Sequence, residues 1–203
     1  MQPNFKTLAM AAFAAIAGMV FAGPAQATPP LYPGILLPGS SVLPGGSQMV
    51  SADFNGDGLM DLAVTDDSQS YTSAGGIWVF LAQAGGGYAA PVFYPTASYP
   101  YTIAVGDLNG DGHPDIVTGN SNSNLTSADQ VSVLIGNGDG TFQPAVNYTV
   151  SSNATADSIT VGDATGNGKA DVVLGTDSGV FVIPGNGDGT LDTAAEQTLT
   201  LNN

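Results

Sequence analysis

The chain repeats itself three times. The stretches DFNGDGLMD (53–61), DLNGDGHPD (107–115) and DATGNGKAD (163–171) begin 54 and then 56 residues apart. Repetition at such a period limits the fold more than any local propensity, because each unit must be one supersecondary structure that buries its faces on its neighbours. The similarity runs beyond the loops: QMVSADFNGDGLMDLAV, YTIAVGDLNGDGHPDIV and DSITVGDATGNGKADVV align throughout. An apolar residue stands four positions ahead of each first Asp (Met49, Ile103, Ile159), and Leu62, Ile116 and Val172 follow the last.

Each unit then offers a second β-rich run, IWVFLA from Ile77, VSVLIG from Val131 and VFVIPG from Val180, ending in AGGG at 84–87 and GNGDG at 136–140 and 185–189. Asn-Gly and Asp-Gly tolerate positive φ at the tip of a tight hairpin, so each turn should return the chain into another strand. PVFYP from Pro91, AVNYTV from Ala145 and TLTL from Thr198 are those strands. With no helical period, the pattern predicts an all-β fold, a partial β-propeller of three four-stranded blades. The blades span 49–94, 95–150 and 151–203, after a Pro/Gly-rich segment at 28–48 in which ILLPGSS, from Ile35, offers a surplus outer strand.

Residues 1–27 read as a signal peptide, with Lys6 ahead of an apolar run from Leu8 to Ala22 and Ala25-Gln26-Ala27 as the cleavage site. The run is about 15 residues where a membrane span needs about 20, so no span is expected after cleavage. The protein is expected outside the cytoplasm, secreted or periplasmic. Removing Lys6 while keeping all 17 acidic residues takes the formal charge from −15 to −16, with Lys169 the remaining cation. Such a chain repels nucleic acid and anionic lipid. Cysteine is absent, so export brings no disulfides and metal is the obvious further staple. Asp supplies 16 of the 17 acids, the bias of carboxylates set in turns rather than along helices.

The DxNGDGxxD loop between hydrophobic strands, followed by VSVLIGNGDGTFQPA, resembles the FG-GAP/VCBS repeat family of extracellular propellers, which includes the integrin α-chain head. The resemblance covers residues 35–201. It implies a calcium-binding, non-enzymatic module engaged in adhesion or in holding proteins or glycans. Three blades are fewer than family rings contain, so the open sheet faces are expected to be covered by self-association or by a partner.

Calcium takes six to eight hard oxygens, which a loop supplies from alternate positions around a sharp turn. Asp53, Asn55, Asp57 and Asp61 fill positions 1, 3, 5 and 9 of the first loop, with the Leu59 carbonyl at 7. Asp107, Asn109, Asp111 and Asp115 repeat the set, with the His113 carbonyl at 7. The third loop keeps Asp163 and Asp171 but carries Thr165 at 3, Asn167 at 5 and Lys169 at 7. Its side-chain charge is −2 against −3, so it is expected to be the weakest site. None is an EF-hand, because Val64, Thr118 or Leu174 stands where that motif has its bidentate Glu.

Catalysis has little to stand on, since the mature chain has one His, one Lys, no Arg and no Cys. His113 is expected to face solvent, and Asp66 and Asp67 point to opposite faces of a strand. The second reading is a lectin-like module, in which Phe93, Tyr94, Tyr99 and Tyr101 of FYPTASYPYT offer rings for sugars, unless those rings fill the space between blades; Trp78 is expected in the core.

Overall fold

The computed structural model describes residues 48–66, 75–97, 99–120, 130–150, 156–176 and 179–199. The signal segment and the outer strand expected from Ile35 lie outside the described residues. Three four-stranded antiparallel sheets follow one another along the chain, each a meander in sequence order. The first contains β1 (Met49–Ala52), β2 (Asp61–Asp66), β3 (Gly76–Phe80) and β4 (Val92–Pro95). The second contains β5 (Pro100–Gly106), β6 (Asp115–Asn120), β7 (Gln130–Leu134) and β8 (Val146–Thr149). The third contains β9 (Ala156–Gly162), β10 (Asp171–Thr176), β11 (Gly179–Ile183) and β12 (Gln197–Leu199). A 3-10 turn at Thr193–Ala195 is the one helical element among the described residues, and none of these could cross a membrane as a helix.

The register repeats with the sequence. The residue before each acidic loop pairs with the loop's last Asp: Ala52 with Asp61, Gly106 with Asp115, Gly162 with Asp171. Because successive strand residues point to opposite faces, each sheet has one face toward its predecessor and one toward its successor. We call these the trailing and the leading face. In β6, Ile116 joins a core with Ala63, Ile77 and Val79 of the first sheet, while its neighbour Val117 joins a core with Val172, Leu174 and Phe181 of the third. Each such aliphatic or aromatic side chain contributes about 1.5–3 kcal/mol when buried. The leading faces contribute Ala63, Ile77 and Val79 at the first junction and Val117, Val131 and Val133, with Gly119 beside them, at the second; the trailing faces contribute Ile116, Leu134 and Phe142, and Val172, Leu174, Phe181 and Ile183.

The close approach needs glycine at one position in particular. A Cβ at Gly119 would come within 2.5 Å of Thr102 Oγ1 and 3.0 Å of the Ala156 Cβ. Thr102 is fully buried at this apolar junction, and its hydroxyl has no hydrogen-bond partner. At the other junction a polar layer lies beside the apolar one: Ser132 Oγ accepts from Ala97 N and Asn120 Nδ2, at 3.1 and 2.8 Å, and donates to Asn147 Oδ1 at 2.7 Å. This ties β6, β7 and β8 to the chain entering the second sheet from the first. First strands lie inside, β5 beside both β1 and β9, and the fourth strands lie outside and are largely exposed. The three sheets do not close into a ring.

Candidate functional site: three acidic loops on one edge

In a four-stranded meander the first and third connections share an end, so every acidic loop lies beside the glycine turn of its own sheet. The position-9 Asp joins the two. Asp61, Asp115 and Asp171 are fully buried. One oxygen of each accepts the N–H of the loop's second residue: Phe54 at 2.9 Å, Leu108 at 2.8 Å, Ala164 at 3.0 Å. The other accepts an N–H from the chain leaving the third strand: Ala82 at 2.7 Å, Gly136 at 2.8 Å, Gly185 at 3.0 Å.

Positions 1, 3 and 5 turn inward on the loop backbone. The Asp57 N–H donates to both Asp53 Oδ1 and Asn55 Oδ1, at 3.1 and 3.0 Å, which brings those two oxygens together, and Gly58 N donates to Asp53 Oδ2 at 2.8 Å. In the second loop Gly110 and Gly112 donate to Asp107 at 2.7 and 2.9 Å, and Asp111 N donates to Asn109 at 3.0 Å. In the third, Asn167 and Gly168 both donate to Asp163 at 2.9 Å. The residue at position 7 donates its N–H to the side chain at 5 in each loop: Leu59 to Asp57, His113 to Asp111, Lys169 to Asn167, all at 2.8 Å.

Among the described residues no three acidic side chains by themselves form a group able to hold a metal ion. The loops present a mixed set instead: two carboxylates and an amide oxygen within one turn, and a buried carboxylate beneath. A carboxylate has about four lone-pair sites, of which the backbone takes two at Asp61 and Asp115 and three at Asp171, so the donor set of the first two loops suits a hard cation best. In the third loop one carboxylate of the turn is replaced by the amide of Asn167.

The electrostatics follow the same division. The His113 N–H and the Asn109 amide hold Asp111 below the ordinary carboxylate value. Burial pushes Asp115 up, against the N–H groups of Gly136 and Leu108 and with help from the charges of Asp111 and Asp107. Burial also acts on Asp171, but the N–H groups of Gly185, Thr165 and Ala164 outweigh it and hold Asp171 low. Asp139 and Asp188, in the glycine turns, are held low by the hydroxyl and N–H of Thr141 and Thr190.

The His113 side chain is exposed and its ring covers Gly138, where a Cβ would meet Cε1 at 2.5 Å; the Lys169 stem covers Gly187 in the same way. Of the aromatic residues, Tyr94 packs between sheets, its ring 5.4 Å from that of Phe142. Tyr101 is exposed, Tyr99 is half-buried with φ of 54°, and Phe93 lies 4.9 Å from Trp78. Trp78, expected in the core, is half-buried and donates its indole N–H to Asp66 at 2.9 Å. Asp66 is buried, and Asp67 lies outside the described residues.

The profile of the FG-GAP-like repeat matches residues 53–118 and 123–174, more than half of the chain, with each match starting at or before an acidic loop. The chain belongs to the FG-GAP-like repeat family. Its repeats also resemble a solved structure described as the basis of specific recognition of non-reducing terminal N-acetylglucosamine by an Agrocybe aegerita lectin. The likeness has a TM-score of 0.52 at 26% identity over 75% of this chain. This FG-GAP-like chain spans 38% of the length of that lectin. No curated protein matches the chain. Family and fold together make it a chain of β-propeller-like repeats. Sequence reasoning missed that the position-9 Asp accepts backbone hydrogen bonds on both of its oxygens, although an Asp opening an apolar strand in all three repeats was its signal.

Proposed function

We propose that this protein is a calcium-stabilised propeller module, exported from the cytoplasm, that binds a protein or glycan partner, as in adhesion, and catalyses no reaction. The observation that carries the reading is the convergence of Asp53 Oδ1 and Asn55 Oδ1 on the Asp57 N–H in the first loop; in the second loop the Asp111 N–H donates to Asn109 Oδ1, while Asp107 accepts from Gly110 and Gly112. Calcium would be held in the first loop by Asp53, Asn55, Asp57, Asp61 and the Leu59 carbonyl. The matching five residues 107, 109, 111, 113 and 115 would hold it in the second. The third loop, with Asp163, Thr165, Asn167, Lys169 and Asp171, would be the weakest. A bound cation would neutralise carboxylates that otherwise repel at short range, and so stabilise the folded state.

Calorimetric titration of the chelated protein with calcium tests this. Two tight sites, with a third weak or silent, and a melting temperature that falls on chelation are expected; an unchanged melt with no heat of binding would sink the calcium reading.

The lectin neighbour favours a glycan as partner, and within FYPTASYPYT Tyr101 and Phe93 are the exposed rings able to stack on a sugar. A glycan array probed with wild type and Tyr101→Ala tests that second reading, and silence across the array would remove it.

A further inference from the structure

Five Asn-Gly pairs stand in the turns of this chain, at Asn55, Asn109, Asn137, Asn167 and Asn186. Such a pair can close on itself, because glycine has no Cβ to hold its backbone nitrogen away from the Cγ of the asparagine before it. We propose that Asn55 is a site of spontaneous deamidation and that the fold shields the other four. The reaction takes water alone. The Gly56 nitrogen gives its proton to solvent and bonds to Asn55 Cγ; the Cγ–Nδ2 bond breaks, and ammonia leaves with a proton taken from solvent. Water then opens the succinimide at one carbonyl or the other, leaving aspartate or, with the chain rerouted through the side chain, isoaspartate.

Three observations single out Asn55. Its Oδ1 accepts the Asp57 N–H at 3.0 Å, a donor placed where negative charge develops as the glycine nitrogen adds. Gly56 is exposed, and a Cβ there would meet no more than the Gly138 carbonyl at 4.0 Å, so water reaches the nitrogen. Among the described residues no group accepts the Gly56 N–H, since the two oxygens of Asp53 take Asp57 and Gly58 instead.

The second loop carries the same pair with its nitrogen tied. Asn109 Oδ1 likewise accepts from Asp111 N, but the Gly110 N–H donates to Asp107 Oδ1 at 2.7 Å, and this charge-assisted bond must break before the nitrogen can attack. Gly168, after Asn167, is tied to Asp163 Oδ2 at 2.9 Å. Asn137 and Asn186 donate their amide nitrogens to the hydroxyls of Thr141 and Thr190, both at 2.9 Å, and the glycines that follow lie under the His113 ring and the Lys169 stem. The product falls within a candidate cation loop. Aspartate at 55 keeps an oxygen at position 3 and takes the side-chain charge from −3 to −4, whereas isoaspartate adds a backbone atom and displaces that oxygen. This consequence rests on the calcium reading; the deamidation does not.

The test holds the folded protein in chelator at mildly alkaline pH, digests it at intervals, and scores aspartate and isoaspartate at each asparagine by mass spectrometry. With chelator present throughout, the calcium reading can fail without touching the result. Asn55 should convert about tenfold faster than Asn109, the factor one hydrogen bond to a charged group carries, with Asn137, Asn167 and Asn186 also behind. In denaturant Asn55 and Asn109 should convert alike, because only the fold separates them. Asp107→Ala frees the Gly110 N–H and should bring Asn109 toward the Asn55 rate; if that variant does not fold, the denaturant comparison carries the test. No conversion at Asn55, equal rates at Asn55 and Asn109 in the folded protein, a faster site elsewhere, a difference that persists in denaturant, or a folded Asp107→Ala in which Asn109 stays slow would each overturn the proposal.

Discussion

Gly140 donates its backbone N–H to the Phe54 carbonyl at 2.9 Å, so the glycine turn of the second sheet closes on the acidic loop of the first. Gly189 repeats the bond to Leu108 at 3.2 Å. The first and second loops are thereby gripped from two sides, each by its own sheet through the position-9 Asp and by the next sheet through a glycine.

That grip predicts the cost of a side chain at the turn. Gly140 has φ of 84°, and a Cβ there would come 2.7 Å from Leu81 Cδ1. Gly140→Ala should cost about 1–2 kcal/mol from backbone strain, with a further 1–3 kcal/mol where Leu81 cannot move. Chemical denaturation reads the loss directly; an unchanged midpoint would mean the turn relaxes freely.

The buried position-9 Asp should matter even without metal. Asp61→Ala strands two N–H groups, of Phe54 and Ala82, at about 1–3 kcal/mol each when buried. Melting in chelator separates this from any cation effect. Equal melting of wild type and variant under chelation would show that the carboxylate acts through metal alone.

Thr102 should be improved by losing its hydroxyl. Thr102→Val keeps the shape and removes an unpaired buried polar group, so a gain of about 1 kcal/mol is expected. A destabilised variant would place a water or other partner at Oγ1.

The glycine turns carry a pH dependence whose sign is fixed. Asp139 and Asp188 are lowered from 3.8 by Thr141 and Thr190. A depressed carboxylate contributes stability above its unfolded value, and that contribution disappears as pH falls through the folded one. Carboxyl carbon NMR should show Asp139 titrating below 3.8 in wild type and moving back up in Thr141→Val; coincident curves would deny the hydroxyl any role.

Strand order was legible because three copies of one pattern correct one another: IWVFLA, VSVLIG and VFVIPG could each be read otherwise alone, but all three precede a glycine turn. The side each residue faces was less legible. Tyr94 sits in an aromatic run that reads either as a sugar-facing surface or as filling between blades, and only its register opposite Ile77 turns it toward Phe142 in the next sheet, a contact nearly 50 residues away in sequence. The loops were legible as oxygen donors, but not the bond from Asp61 to Ala82, which depends on where a hairpin returns. Ala164, where the other loops have Phe54 and Leu108, was visible from the start and gained meaning only once those two were seen buried between sheets.

The fourth strands β4, β8 and β12 are three or four residues long, with Val92, Val146 and Leu199 each more than half exposed. A longer strand at that rim would offer a full ladder of unpaired amides on which foreign chains could be templated into fibrils. Brevity at the perimeter therefore acts as a kinetic safeguard: these repeats can expose apolar side chains to solvent without seeding cross-β growth.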